Sequence, residues 1–194
     1  MSAIRLVTVS GPRGAGKETV LNALCAEFKL HRIVPHTTRV PRESEQDGRE
    51  YHFVSNKVFD DLIAADRFVW YGQIGPTQRS GTVIDEFTKA QTGCVVDVKP
   101  EGARVMRQCV RALHGDALLL CIMASQAERR QRVWARQPGI SEAEVERLTR
   151  EDPVSQNVDD YHDFDHVIWN TGDDPAPACN LAVKLISKFI LVAA

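Results

Sequence analysis

Apolar residues follow two rhythms along this chain. Nearly unbroken apolar runs at Ile4–Ser10, Arg32–Val34, Cys94–Val98, Ala117–Met123 and His166–Asn170 read as strands. Between them, apolar positions return every three or four residues. That spacing predicts helices over Lys17–Lys29, Asn56–Ala65, Pro100–Leu113, Gln126–Gln137, Ser141–Glu151 and Ala178–Val192. The run Ala-Leu-Leu-Leu-Cys-Ile-Met at 117–123 has no polar position, as a central strand covered on both faces requires. Ser125-Gln-Ala-Glu128 and Ser141-Glu-Ala-Glu144 fit the capping box and fix two helix starts. Strands alternating with helices predict an α/β fold, a parallel sheet with helices on both faces.

Residues 35–92 break the rhythm. They are rich in Thr, Arg, Gly and Gln, with short strand-like pieces at Tyr51–Val54, Phe68–Ile74 and Thr82–Ile84. This reads as a small mixed α/β lobe inserted between two core strands, able to close over a ligand.

The junction of the first strand and first helix carries the clearest chemistry. Gly11-Pro12-Arg13-Gly14-Ala15-Gly16-Lys17 turns strand into helix, and its glycines let backbone N–H groups point inward around an anion. The helix N-terminus adds partial positive charge, and Lys17 reaches terminal phosphates. This is a P-loop in the required context, so the fold expected is that of the P-loop NTPases and the ligand ATP. One position departs. A Ser or Thr that ligates magnesium should follow the lysine, whereas this chain has Glu18, with Thr19 next. Glu18 can reach Mg2+ through its carboxylate, repel the triphosphate, or serve as an acid favoured at a helix start. Asp97, ending an apolar strand, is placed to hold a magnesium water or to cap the following helix.

Composition narrows the picture further. A net charge of −2 over 194 residues implies no general attraction to nucleic acid. No apolar run reaches the roughly 20 residues that span a bilayer, and the short N-terminus shows no signal peptide. Five scattered cysteines without C-x-x-C spacing suggest reduced thiols in a cytoplasm, and argue against zinc. The six histidines show no metal or triad spacing and read as structural.

A second anion site is written into His36-Thr-Thr-Arg-Val-Pro-Arg42 and Asp47-Gly-Arg-Glu-Tyr-His-Phe-Val54. Arg39 and Arg42 flank the stiffening Pro41, and with the Tyr51 hydroxyl they can hold one phosphate. Beside a P-loop this suits an acceptor phosphate; alone it would read as a solvated basic loop. Arg132 and Arg136, four apart, share a helix face that fits a phosphate-covering lid or a solvated face paired with Glu128. Arg13 is expected to face solvent.

Taken together, Gly11–Lys17, Thr37-Thr-Arg-Val-Pro-Arg42 and Gly48-Arg-Glu-Tyr-His-Phe53 closely resemble the guanylate kinase family. The resemblance continues through Thr92–Ala103 and Phe164-Asp-His-Val-Ile-Trp-Asn170. It implies a core (1–34, 93–125 and 153–194), an acceptor lobe (35–92) and a helical lid (126–152) within one domain. It also implies phosphoryl transfer from magnesium-ATP to a nucleoside monophosphate, GMP foremost. Small-molecule nucleotides are the partners implied, for a monomer or homodimer. By the same resemblance Arg132, Arg136 and Arg147 are lid arginines, and Asn170 lies near the donor adenine.

The chain departs from that family at several points. Pro35 stands where a phosphate-contacting serine is usual, and Trp70 where a glutamate reads guanine. Gln78-Arg79-Ser80-Gly81-Thr82 replaces a Tyr-Gly-Thr segment. That puts Arg79 near the acceptor phosphate, with the Ser80 hydroxyl beside it. Lys99 replaces the second aspartate after Asp97, and Trp70 either stacks on a base or packs inside the lobe. Arg79 and Lys99 make the acceptor pocket more positive, which suits a more highly phosphorylated or less base-dependent acceptor. Two other readings therefore stay open: a kinase of another phosphorylated small molecule such as ribose 1,5-bisphosphate, and a non-catalytic phosphopeptide-binding module.

Overall fold

The computed structural model describes residues 4–42, 45–89, 92–150 and 162–191. The first half of the chain runs β1 (Arg5–Ser10), α1 (Lys17–Phe28), β2 (His31–Arg32), β3 (His36–Thr37), β4 (His52–Phe53), α2 (Asn56–Ala64), β5 (Phe68–Gln73) and β6 (Arg79–Val83). It continues through α3 (Asp85–Thr88), β7 (Cys94–Asp97), α4 (Pro100–Ala112), β8 (Asp116–Met123), α5 (Gln126–Arg136), α6 (Glu142–Arg150), β9 (His166–Trp169) and α7 (Ala176–Leu191).

Five strands form a parallel sheet in the order β2-β7-β1-β8-β9. Strand alternation sends side chains into two cores, one on each face. Val7, Val9, Leu118, Leu120 and Ile122 pack with Val20, Leu21 and Leu24 of α1 and Ala182 and Ile186 of α7. Leu6, Val96, Leu119 and Cys121 pack on the other face with Ala103, Met106 and Val110 of α4. The apolar run at 117–123 is thus the buried strand β8, covered on both faces as its composition requires.

A second sheet, ordered β4-β3-β6-β5, is built wholly from residues within 35–92. It leans on the core through Val69 and Trp70, which pack against the α4 side.

Predicted and observed elements differ mainly at their ends. β2 stops at Arg32 because the Val34 N–H donates to the Glu86 carboxylate (2.9 Å) and Pro35 follows. α7 starts two residues early, at Ala176, because the Asp174 side chain accepts from the Ala176 N–H (2.9 Å). Pro177 is tolerated there because a first-turn N–H has no partner within the helix. Ser125 and Glu128 close the full capping box. Ser141 accepts from the Glu144 N–H, but the Glu144 carboxylate is taken up by Arg147. The predicted helix ends Glu151 and Val192, and the 152/153 border between lid and core, lie outside the described residues.

Candidate active site

Two glycines make the phosphate loop possible. At Gly11 (φ 142°) a Cβ would lie 2.1 Å from the Ile122 carbonyl oxygen. At Gly16 (φ 96°), which caps α1, it would lie 2.3 Å from Asn170 Nδ2. No larger residue fits either place. Ala15 is buried, its N–H bonds the Pro12 carbonyl (3.2 Å), and its own carbonyl accepts from Asn170 Nδ2 (2.8 Å). The Lys17 ammonium donates to the carbonyls of Gly11 (2.8 Å) and Pro12 (3.3 Å), which poises it across the loop mouth.

The loop opens on a cleft of about 1220 Å³ that extends to the second sheet. On the far side Arg39 makes a two-pronged pair with Glu45, Nη1–Oε2 2.9 Å and Nη2–Oε1 2.8 Å, and its guanidinium lies 5.3 Å from the Tyr51 ring centroid. Glu45 also accepts from the Arg42 N–H (2.8 Å). One carboxylate thus orders both arginines, and their pairing holds it below the usual carboxylate range against its partial burial. Burial, then Asp97, push the Tyr51 phenol upward, so it keeps a proton to offer an anion. The signal for Glu45 was its place six residues after Arg39 and three after Arg42.

The hairpin β5–β6 forms a further wall. Gln78, Ser80 and Thr82 face the cleft, and the Ser80 hydroxyl donates to the His36 carbonyl (3.0 Å). Trp70 both lines the cleft and lies against α4, where a Cβ on Gly102 would come 3.0 Å from its ring. Arg79 corrects the expectation that it joins the cleft. Strand alternation turns it outward onto α2, where it bonds Asp60 (2.6 Å) and Asn56 and covers the Phe59 ring at 4.7 Å. Pro35, Lys99 and Glu101 also line the cleft.

The remaining expected residues divide by position. Arg136 reaches the cleft. Arg132 instead points at the backbone, donating to the carbonyls of Asn170 (3.0 Å), Gly172 (2.7 Å), Gly14 and Ala15 (3.4 Å each). Arg147 pairs with Glu144 on α6. Arg13 is not a solvent-facing residue. It is half-buried, and burial together with Arg42, Arg147 and Arg136 lowers its pKa. Asn170 is 3% exposed beneath the loop, a strut under Gly16.

Both oxygens of Glu18 are held by Arg32 (2.6 and 2.9 Å), a partner the sequence reading did not foresee. Asp97 ends β7 in the same cleft. No group of three His, Cys, Asp or Glu that could cage a metal occurs among the described residues. A triphosphate-borne Mg2+ takes most of its oxygens from phosphates and waters and only one or two from carboxylates, and Asp97 is a carboxylate in this cleft at the end of β7.

The parallel sheet, the glycine loop between its first strand and first helix, and Lys17 across the loop mouth define a P-loop nucleotide-binding domain. A family model described as guanylate kinase matches residues 3–180, and the chain belongs to the guanylate kinase family. Among its relatives, a guanylate kinase from Porphyromonas gingivalis is 31% identical over 96% of this chain and 98% of that protein. One from Nocardia farcinica is 33% identical over 96% and 93%. One from Symbiobacterium thermophilum is 35% identical over 89% and 80%. The crystal structure of guanylate kinase from Anaplasma phagocytophilum superposes with a TM-score of 0.68, covering 98% of this chain and 88% of that one at 18% identity. The last comparison establishes the fold.

Proposed function

We propose that this protein transfers the γ-phosphoryl group of ATP to GMP, giving ADP and GDP. The observation that carries this reading is a single cleft with the phosphate loop on one side and the Arg39–Arg42–Tyr51 set on the other. Donor and acceptor phosphates placed there meet end to end, as in-line transfer needs. A phosphate oxygen of GMP bonds to the γ-phosphorus while the bond from that phosphorus to the β–γ bridging oxygen breaks, leaving ADP.

In this reading Lys17 and Arg136 neutralise charge on the transferred group, and Arg39, Arg42 and Tyr51 orient the acceptor phosphate. Arg132 and Asn170 act as positioning residues by bracing Gly14, Ala15 and the 170–172 turn. Arg147 joins from α6, and Trp70, Ser80 and Lys99 border the acceptor's base or sugar. Asp97 would hold Mg2+, which supplies positive charge at the β- and γ-phosphates. Core, acceptor lobe and lid are the working parts we assign to residues 1–34 with 93–125 and 153–194, to 35–92, and to 126–152. A cytoplasmic setting suits the five free cysteines. Among the described residues no helix is long and apolar enough to cross a membrane.

The test is magnesium-dependent ADP release from ATP with GMP, dGMP, AMP, UMP, CMP, ribose 1,5-bisphosphate or no acceptor. GMP should support turnover, and Lys17→Ala should lower kcat by about 10²–10³-fold, the loss typical of removing one charge-stabilising donor. Turnover with another acceptor alone moves the assignment to that substrate. No turnover by a folded protein that binds phosphopeptides overturns the kinase reading.

A further inference from the structure

A carboxylate directly after the P-loop lysine is electrostatically awkward. Glu18 sits in the first turn of α1 and lines the cleft that receives the phosphates, so its charge opposes theirs. The fold answers with Arg32. Its Nη1 lies 2.6 Å from Glu18 Oε1 and its Nη2 2.9 Å from Oε2, the parallel fork in which guanidinium binds carboxylate best. Nη1 also reaches Asn22 Oδ1 at 3.4 Å.

The pair joins two rigid elements rather than two loops. Arg32 ends β2, where His31 and Arg32 stand in register with Cys94 and Val95 of β7, while Glu18 is fixed by α1. Their side chains are 30% and 48% exposed, so partial burial removes some of the water that would otherwise screen them. Burial alone would lower the Arg32 pKa, but Glu18 and Asp97 more than offset it and the net shift is upward.

We propose that Arg32 is the positioning residue of the donor-phosphate site: by taking both oxygens of Glu18 it cancels that charge beside the loop and keeps Glu18 out of the metal's shell. The proposal rests on the reading that the loop binds ATP. It makes Arg32 necessary only while residue 18 is acidic.

The experiment measures Kd for metal-free ATP and for Mg-ATP by calorimetric titration, on wild type, Arg32→Gln, Glu18→Ser and the double variant. Thermal melting confirms that each is folded. Arg32→Gln should weaken both forms of ATP by roughly tenfold, the coupling seen for contacting charges. Glu18→Ser should bind both at least as tightly as wild type, and the double variant should recover to near the wild-type value. Unchanged binding by Arg32→Gln, or a double variant as weak as Arg32→Gln, overturns the proposal. So does a Glu18→Ser that loses Mg-ATP but not metal-free ATP, which would make Glu18 a metal ligand. Should Arg32→Gln not fold, Glu18→Ser decides, since weaker binding of metal-free ATP contradicts charge cancellation. A wild-type protein that binds neither form removes the ATP reading itself, whereas the other outcomes leave that reading standing.

Discussion

Arg39 and Arg79 lie close together where the strand β3 side meets β6, since the Thr38 N–H donates to the Arg79 carbonyl, yet they serve different surfaces. Arg39 is locked to Glu45 in the cleft, and Arg79 packs on α2. Arg39→Ala should raise the KM for GMP by about tenfold or more, because it removes a guanidinium beside the acceptor phosphate and leaves Glu45, 11% exposed, without its two-pronged partner. Arg79→Ala should leave that KM within about twofold and lower Tm by a few degrees. Its partners are an exposed ion pair and a ring contact, each worth about 1 kcal/mol or less. Steady-state kinetics and melting curves on the two variants separate these effects. The sequence displayed both arginines but not their directions. Gln78-Arg-Ser-Gly has no apolar residue to reveal the phase of the strand, so pairing with β5 alone decides which side chains face inward.

The strand–loop–helix unit at residues 5–28 was legible because everything that specifies it is local: an apolar run, three glycines, a helix-forming stretch. Its support was not. Asn170 reaches the loop from the far end of the chain, and only the parallel pairing of β8 with β9 brings it there. Gly16→Ala should therefore cost more than a usual surface glycine replacement. A side chain at φ 96° carries strain of about 1–3 kcal/mol, and its Cβ collides with Asn170 Nδ2. Denaturant unfolding should show a lowered midpoint, and ATP titration a weakened Kd. The short elements β3 and α3 escaped sequence reading for a related reason. Two residues of strand and four of helix carry too little periodicity to see: pairing with β4 and β6 holds β3, and burial of Glu86 and Phe87 holds α3.

Across the seam between the two sheets the chain gathers residues that sequence spacing kept apart. His31 comes from β2, His36 from β3, His52 from β4 and Glu86 from α3. Glu86 is 1% exposed, accepts from the Val34 N–H and Lys89, and lies 3.3 Å from His31 Nε2 and 4.0 Å from His52 Nε2. The His36 and His52 rings meet at 4.7 Å, tilted by 40°, with Arg67 and Asp85 lining the same small cavity. Burial, then His52, lower the pKa of His36, while Glu86 and Asp47 pull the other way. A histidine lowered in the folded state binds fewer protons there than when unfolded. Its stabilising contribution is complete above the ordinary value of about 6.5 and fades as pH falls below it. Glu86 is lowered too, with burial opposed by Lys89 and Val34, so its contribution fades in the same direction but at more acid pH. Tm should fall on going from pH 7 to 5, and His36→Phe should flatten that slope in scanning calorimetry. An equal slope in the variant would assign the acid sensitivity elsewhere. Reading the histidines as structural from spacing alone missed the cluster because three strands and a helix close the distances between them.

The bonds from Asn170 to Ala15 and from Arg132 to the 170–172 carbonyls also have a consequence for biosynthesis. The phosphate loop leaves the ribosome 155 residues before the Asn170 that props it. A nascent chain thus carries a loop with no back wall until Asn170 and Gly172 emerge. Chains cut short of Asn170 should therefore carry the complete loop sequence yet bind ATP more weakly than the 194-residue chain in titration.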